Sequence, residues 1–453
     1  MKLTLTSALV AITVLLQAQA CLLDSEIEAE RDHRLHGTPI RRQQFAKRQS
    51  SRSFPIGTGD RFDGGSVVPV GLGISDRDLQ SVLNPGEVQS ALKGLANMYP
   101  TVQLFSPPQH TYQNASLYGA IIGRDPRVFI MSGIHARERG GPDNVIYLIA
   151  DLLEAHAQGT GLVYGNKTYT NGDVQTALSV GIVVLPLVNP DGVAHDQATH
   201  SCWRKNRNPK SAAENSEVSI GIDLNRNFDF LWDYEKAFTP LAELSSAASD
   251  DPHSEIFHGL SPASEPETKA IMWTVDQFNG LSWFLDLHSF GGDVLYSWGD
   301  DNAQHTKPYE NFANASYDGT RGFLGDDPAE ASFKEYMEPE DWDAELSVAQ
   351  RMVKSMDDAG SVQYTPLESV LLYPTSGAST DYMRGMYYRG QCGAKKLKSL
   401  TMEFGRPSGD AAGCPFYPTR EEYHDSMRSV DTGLMELLLN AAGPAGEPVW
   451  KTC

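Results

Sequence analysis

Four short, mostly apolar runs set the limits on what this chain can become: residues 128–131, 182–188, 283–287 and 400–404. Each is too short for a core helix and far too short for a membrane span, so each reads as a buried strand. Helical spacing separates them. Val88, Leu92, Leu95 and Met98 recur along one face of 87–99, and Pro100 stops the pattern. Residues 145–157, 345–356 and 421–439 carry similar patterns. Strands alternating with helices predict an α/β fold. We expect a single domain over 86–445, built on a mixed, largely parallel twisted sheet flanked by helices.

Polar residues cluster where three of these runs end. His135-Ala136-Arg137-Glu138 follows 128–131, His288-Ser289 follows 283–287, and Glu403 lies near the end of 400–404. In open α/β sheets, ligands bind outside the carboxyl ends of the strands, so neighbouring strands would bring the three clusters together. A histidine and a glutamate three residues apart can face one cation. A catalytic zinc takes three protein ligands and keeps one open position, and two histidines with one glutamate are a standard set. Such a zinc polarises a carbonyl and lowers the pKa of water to about 7. A further carboxylate must then take the proton and pass it to the leaving amine. Taken singly, a lone HxxE arises by chance and a lone strand-end histidine is usually structural. Their order along the chain gives them weight. His135, Glu138 and His288 are the candidate metal ligands, and Glu403 is the candidate general base.

The intervening motifs sharpen this. Gly133-Ile134-His135-Ala136-Arg137-Glu138 is followed by Asn189-Pro190-Asp191-Gly192 and Trp203-Arg204-Lys205-Asn206-Arg207. Then come Asp223-Leu224-Asn225-Arg226-Asn227-Phe228, Phe257-His258-Gly259, Ser264-Glu265-Pro266-Glu267 and Leu287-His288-Ser289. Tyr373-Pro374-Thr375-Ser376-Gly377 and Met402-Glu403-Phe404 complete a series that resembles the carboxypeptidase A/B family of zinc exopeptidases over about residues 86 to 440. The resemblance implies one Zn2+ per chain, on His135, Glu138 and His288. It implies that Arg207 polarises the scissile carbonyl, the usual task of a fixed cation at a developing oxyanion. Asn225 and Arg226 would grip the substrate's terminal carboxylate, which a planar guanidinium can meet with two parallel hydrogen bonds. Tyr373 would close over the bound residue and Arg137 would line an outer subsite. The implied reaction releases single C-terminal amino acids from peptides and proteins. Counting from Tyr373, the specificity position is Thr380, which offers no anion to a basic residue. Neutral residues, apolar or aromatic, are therefore the expected substrates, although a one-residue shift would bring Asp381 into the pocket. With base, ligands and grips all present, an active enzyme is favoured over a relative that has lost its base. Two alternatives stay open: a zinc amidohydrolase of the same fold acting on acylated amino acids or peptidoglycan peptides, and a non-catalytic secreted binding protein.

The remaining features concern location and processing. Residues 1–20 combine Lys2, an apolar run and Ala18-Gln19-Ala20, the pattern of a secretory signal peptide. Residues 21–48 are charged and poor in aromatics and read as a disordered propeptide-like segment, with Lys47-Arg48 as a processing site. Residues 49–85 are rich in Gly, Pro and Asp and read as an irregular arm. A folded inhibitory prodomain is not expected, so any latency must work differently. Sequons at Asn114, Asn166 and Asn314 fit a secreted, extracellular glycoprotein. No later stretch suits a membrane, and the formal net charge of −21 argues against nucleic acid as a partner. A monomer is expected. Of the five cysteines, Cys21 would leave with a propeptide, and the other four allow three pairings. Cys392 with Cys414 is the expected one, since the two flank Glu403. No CxxC occurs, so a thiolate zinc site is not expected. The acidic stretch 300–343 reads as an exposed insertion that either rims the cleft or is passive.

Overall fold

The computed structural model describes residues 21–41, 52–214, 216–242, 244–322, 333–408 and 413–453. The expected leader at 1–20 and the Lys47-Arg48 site lie outside these residues. The main sheet contains β1 (Val102–Phe105), β2 (Gly119–Ile122), β3 (Val128–Ser132), β6 (Ile182–Leu185), β7 (Trp283–Ser289), β8 (Asp293–Tyr296), β11 (Thr365–Glu368) and β12 (Lys398–Phe404). Two small pairs stand apart: β4 (Leu162–Tyr164) with β5 (Lys167–Tyr169), and β9 (Ala303–Gln304) with β10 (Glu335–Tyr336). The sheet order is β1-β2-β6-β3-β7-β12-β8-β11. Its centre, β6-β3-β7-β12, is parallel throughout. These four strands are the four apolar runs. They carry no polar alternation because helices cover both faces.

The strand pleat sorts the core into two layers. Val128 and Ile130 of β3 enter one hydrophobic cluster, and Phe129 and Met131 enter the other. Helices Gly141–Gln158, Pro339–Ala359 and Arg420–Ala441 pack on the first face, and Pro266–Gln277 and Ser379–Tyr388 on the second. Each fully buried aliphatic or aromatic side chain contributes about 1.5–3 kcal/mol relative to exposure. The first helix of this frame, Pro85–Met98, starts where Asn84 and Glu87 cap each other reciprocally and Pro85 needs no donor. β6 ends at Leu185, before Pro186, and the Asn189-Pro190-Asp191-Gly192 motif is a helix start. The Asn189 carboxamide accepts from the Gly192 N–H at 3.0 Å and caps Pro190–Thr199.

Two expectations fail here. Residues 21–41 are not featureless: Asp24–His36 is a helix. Asp24 and Glu26 sit in the first turn, His33, Arg34 and His36 in the last, and Gly37 closes it in the left-handed conformation. It has no apolar stripe to read, because ion pairs to the rest of the protein hold it. The second failure is the disulfide. Cys414 pairs with Cys202, and Cys392 does not. Closeness in sequence misled the expectation, since the true partner is 212 residues away. Cys392 and Cys453 are instead two exposed, free cysteines whose thiols are hydrogen-bonded to each other. The backbone explains their meeting. Lys395 and Trp450 pair antiparallel, so counting outward brings 392 opposite 453. In an oxidising compartment these two should form a second bridge. Non-reducing peptide mapping should recover 202–414 and 392–453, and a free thiol at both 392 and 453 would contradict this.

The described part of 300–343 is folded. Arg321 is buried and donates to the Asn314, Phe312 and Ala237 carbonyls. Asn314 is half-buried rather than exposed, and its own amide donates to the Tyr309 carbonyl at 2.8 Å. Burial, then mutual repulsion, pushes the Asp300 carboxyl up to about 7, and burial pushes Asp301 up to about 7. The native state therefore holds protons that the unfolded chain releases near pH 4. By linkage, stability falls as pH rises from about 4 to about 7 and levels off above. Amide exchange at Asn302 and Gly322, whose N–H groups both donate to Asp301, should show more protection at pH 5 than at pH 8 after correction for intrinsic rates. Equal protection would show that these carboxyls stay ionised.

Candidate metal centre and substrate cleft

The parallel pairing of β7 and β12 sets Glu403 opposite His288. The pairing of β3 and β7 sets Ser132 opposite Leu287, so the turn after β3 delivers His135 and Glu138 to the same strand ends. His135 Nδ1 lies 2.6 Å from Glu138 Oε1, and His288 Nδ1 lies 3.1 Å from both Glu138 Oε2 and His135 Nδ1. All three residues are buried. Two imidazole nitrogens and a carboxylate aimed at one point, away from water, form a donor set suited to a cation such as zinc. Each histidine is backed by a second carboxylate. His135 Nε2 is 3.1 Å from Asp223 Oδ1 and His288 Nε2 is 3.0 Å from Asp286 Oδ2, an arrangement that fixes the ring tautomer and raises the basicity of the ligand. Ser379 donates to Asp286 in turn. The residues present thus fit zinc, with His135, Glu138 and His288 to hold it.

The electrostatics agree. Burial alone would raise Glu138, but the two histidines hold its carboxyl below the usual range. Burial would likewise raise Asp223, but Arg204 and then His135 hold it well below. At Glu403 burial wins: His288 pulls the carboxyl down, but burial, with Glu138 nearby, pushes it up to about 8.

Asp223 organises the substrate side of the site. Besides His135, it accepts from Arg204 Nη2 at 2.9 Å and caps the short turn Leu224–Arg226 by accepting from the Asn225 N–H at 3.0 Å. That turn places Asn225 and Arg226. Asn225 Oδ1 accepts from the Ser379 N–H at 2.8 Å, and Arg226 Nη1 donates to the Asn225 carbonyl at 2.9 Å. The Tyr373–Gly377 loop closes against them. Gly377 has φ +66°, and a Cβ there would meet the Arg226 carbonyl at 2.2 Å, so only glycine lets the loop approach. Tyr373, Thr380, Leu295, Leu372, Ala378 and Thr401 line a cavity of about 40 Å3 that also reaches His135, Arg204, Asn225, Arg226 and Glu403. Asp381 does not line it, because its carboxylate accepts from the Gly299 N–H at 3.0 Å. None of the described residues of 300–343 lines it either. The larger cavity, about 600 Å3 between Phe290, Phe416 and His424, contains none of the metal donors.

One expected residue is misplaced. Arg207 is not part of this cluster: its guanidinium lies 4.4 Å from the Trp203 ring centroid and its charge faces Asp191. The guanidinium that reaches the donors is Arg204, buried and 3.8 Å from Glu138 Oε1. The Ala136 N–H donates to the Arg204 carbonyl at 3.0 Å, which pins this residue beside the HxxE turn. Arg137 is placed at the cleft, but it is covered. Glu26 meets it with two hydrogen bonds of 2.6 and 2.8 Å, and Phe416 stacks on it at 4.2 Å. The sequence reading also missed Asp223 and Asp286. The first opens the Asn225-Arg226 motif, and the second lies two residues before His288 on the same strand face.

A sequence model described as zinc carboxypeptidase matches residues 88–422. Carboxypeptidase B of Helicoverpa zea is 32% identical over 39% of this chain and 35% of its own length. Carboxypeptidase B of Astacus astacus is 28% identical over 47% of this chain and 63% of its own length. The chain thus spans less than two thirds of these relatives. Among solved structures, carboxypeptidase A of Helicoverpa armigera superposes with a TM-score of 0.56 at 22% identity, covering 80% of this chain and 75% of that one. Thrombin activatable fibrinolysis inhibitor gives 0.57 at 19% identity, covering 79% and 74%. At these identities the two structures confirm the fold: a mixed α/β sheet flanked by helices.

Proposed function

Because the chain belongs to the zinc carboxypeptidase family, we propose that it is a secreted exopeptidase that removes single neutral, apolar or aromatic residues from peptide C-termini. One observation carries this reading. His135 of the buried donor cluster and the carboxylate of Glu403 line one cavity with Asn225 and Arg226. Zinc held by His135, Glu138 and His288 would supply Lewis acidity to the scissile carbonyl and activate water. The protein's own residues do the rest. Arg226 and Asn225 hold the terminal carboxylate and so limit cutting to the last peptide bond. Arg204 donates to the scissile carbonyl oxygen as charge develops there. Glu403 accepts the water's proton and returns it to the leaving amine. Tyr373 covers the terminal residue. Thr380 and Thr401 leave that residue's pocket without a charge, and Asp381 is turned away toward Gly299. Among the described residues no helix is long and apolar enough to cross a membrane, which is compatible with secretion.

The test is C-terminal trimming of a peptide library, read by mass spectrometry with and without 1,10-phenanthroline. Trimming should stop with the chelator, and C-terminal Phe should leave at least about tenfold faster than C-terminal Arg, the factor set by 1.4 kcal/mol of pocket preference. Internal cleavage or chelator-resistant trimming would sink the exopeptidase reading. Faster release of Arg would sink only the assignment of the pocket.

A further inference from the structure

The metal cluster holds a fourth donor that the proposed reaction does not use. Cys21 Sγ lies 3.5 Å from His288 Nδ1 and 2.7 Å from Glu403 Oε1, and its donor atom is within 4.8 Å of those of His135, Glu138 and His288. Cys21 is buried. Its carbonyl is gripped as well, accepting from Arg204 Nη1 at 2.7 Å and from Arg137 Nη2 at 2.8 Å. Glu403 Oε2 is buried in the same place and has no hydrogen-bond partner among the described residues. The helix that follows is tied down along its length. Glu26 forms the two-bonded pair with Arg137, and Arg34 donates to the Tyr234 hydroxyl at 2.9 Å and the Ala248 carbonyl at 2.6 Å. Within the helix, buried Glu30 meets Arg34 at 3.1 Å and so orients that arginine.

Each of these contacts takes a position that a substrate needs. The Cys21 carbonyl sits on the arginine assigned to the scissile carbonyl. Its sulfur sits at the donors, where the fourth position of a catalytic zinc would otherwise be open. The Glu26 carboxylate takes the arginine assigned to an outer subsite. With all three in place, about 40 Å3 of the cavity is left. We propose that Cys21 is a fourth donor to the metal of this site, and that residues 21–36 are a built-in blocker that must leave before a peptide can enter. This rests on the zinc reading above. Sulfur binds as the thiolate, so the thiol proton is lost when the metal–sulfur bond forms, and Glu403 is placed to take it. Latency then needs no folded prodomain, because one residue supplies a sulfur ligand and a carbonyl that imitates the substrate's.

The test uses the full chain loaded with Co2+, whose spectrum reports a sulfur ligand directly. The wild type should show a cobalt–thiolate charge-transfer band in the near ultraviolet, and Cys21→Ser should lose it while keeping the visible d–d bands. In the wild type, alkylation at Cys21 should be slow with metal bound and fast after chelation, a comparison that needs no variant. Cys21→Ser should also cleave a short peptide with kcat/KM at least about tenfold higher, the gain expected if the blocked form holds ten of every eleven molecules. Visible d–d bands without the charge-transfer band, or metal-independent alkylation, would overturn the sulfur ligand. A lost band with unchanged kcat/KM would overturn the blocker. Failure to bind cobalt at all would instead sink the zinc reading on which both rest.

Discussion

Replacing Glu403 with Gln should lower kcat/KM by about 10^3-fold, within the range for removing a general acid–base group and equal to roughly 4 kcal/mol of barrier. The substitution keeps shape and burial but removes the ability to accept a proton. Glu403 is not one of the three assigned ligands, and the backbone pairing of β12 with β7 that holds it opposite His288 does not depend on its side chain. Metal content should therefore stay at one zinc per chain. Rate and metal stoichiometry measured on one preparation separate the possibilities. Loss of metal along with rate would make Glu403 a ligand, and a rate within a few-fold of wild type would remove it from the mechanism.

The two arginines of Trp203-Arg204-Lys205-Asn206-Arg207 should behave very differently. Arg204→Lys keeps a positive charge beside Asp223 but cannot reproduce the forked donation that reaches both Asp223 and the neighbouring carbonyl. It should lower kcat by about 10^2–10^3-fold, the size of losing one oxyanion donor, with little change in KM. Arg204→Ala is the poorer probe. It strands the Asp223 carboxylate in the interior, a loss of about 3–5 kcal/mol in stability. Arg207→Ala removes a half-buried cation lying on Trp203 and should change the rate by about twofold or less. If the Arg207 variant were the crippled one, the assignment of Arg204 would fall.

That pair shows where the sequence stopped being legible. The central strands could be read because burial on both faces leaves a run of apolar residues that few other structures produce. The donors could be read because each follows such a run. Residues 203–208, however, have neither the period of a strand nor that of a helix, so nothing in the spacing says which arginine reaches Glu138. Tertiary hydrogen bonds decide it: Ala136 to the Arg204 carbonyl, and Asn206 to Ile222. Cys21 was invisible for a related reason. Its segment looks charged and unstructured because its partners, Arg137, Tyr234 and the loop around Ala248, all lie far along the chain. Thr380 lines the cavity from the first turn of helix Ser379–Tyr388, whereas the turn of Asp381 toward Gly299 is set by a tertiary hydrogen bond that spacing does not show.

The Cys202–Cys414 bridge has a further meaning for where such a protein can work. It joins a residue two positions before Arg204 to the segment leading into helix Arg420–Ala441, and it closes a loop of 212 residues. In the chain-entropy account, a closure of that length removes about 5 kcal/mol of freedom from the unfolded chain. Arg204, the residue proposed to answer the oxyanion, is thus tethered by a bond that cellular reductants can open. Synthesis in the cytosol would give a chain whose candidate metal donors still gather at the strand ends but whose Arg204 hangs from an untied loop. Oxidation would then be a step in maturation, and on the proposed function the compartment that permits it would set where peptides can be trimmed.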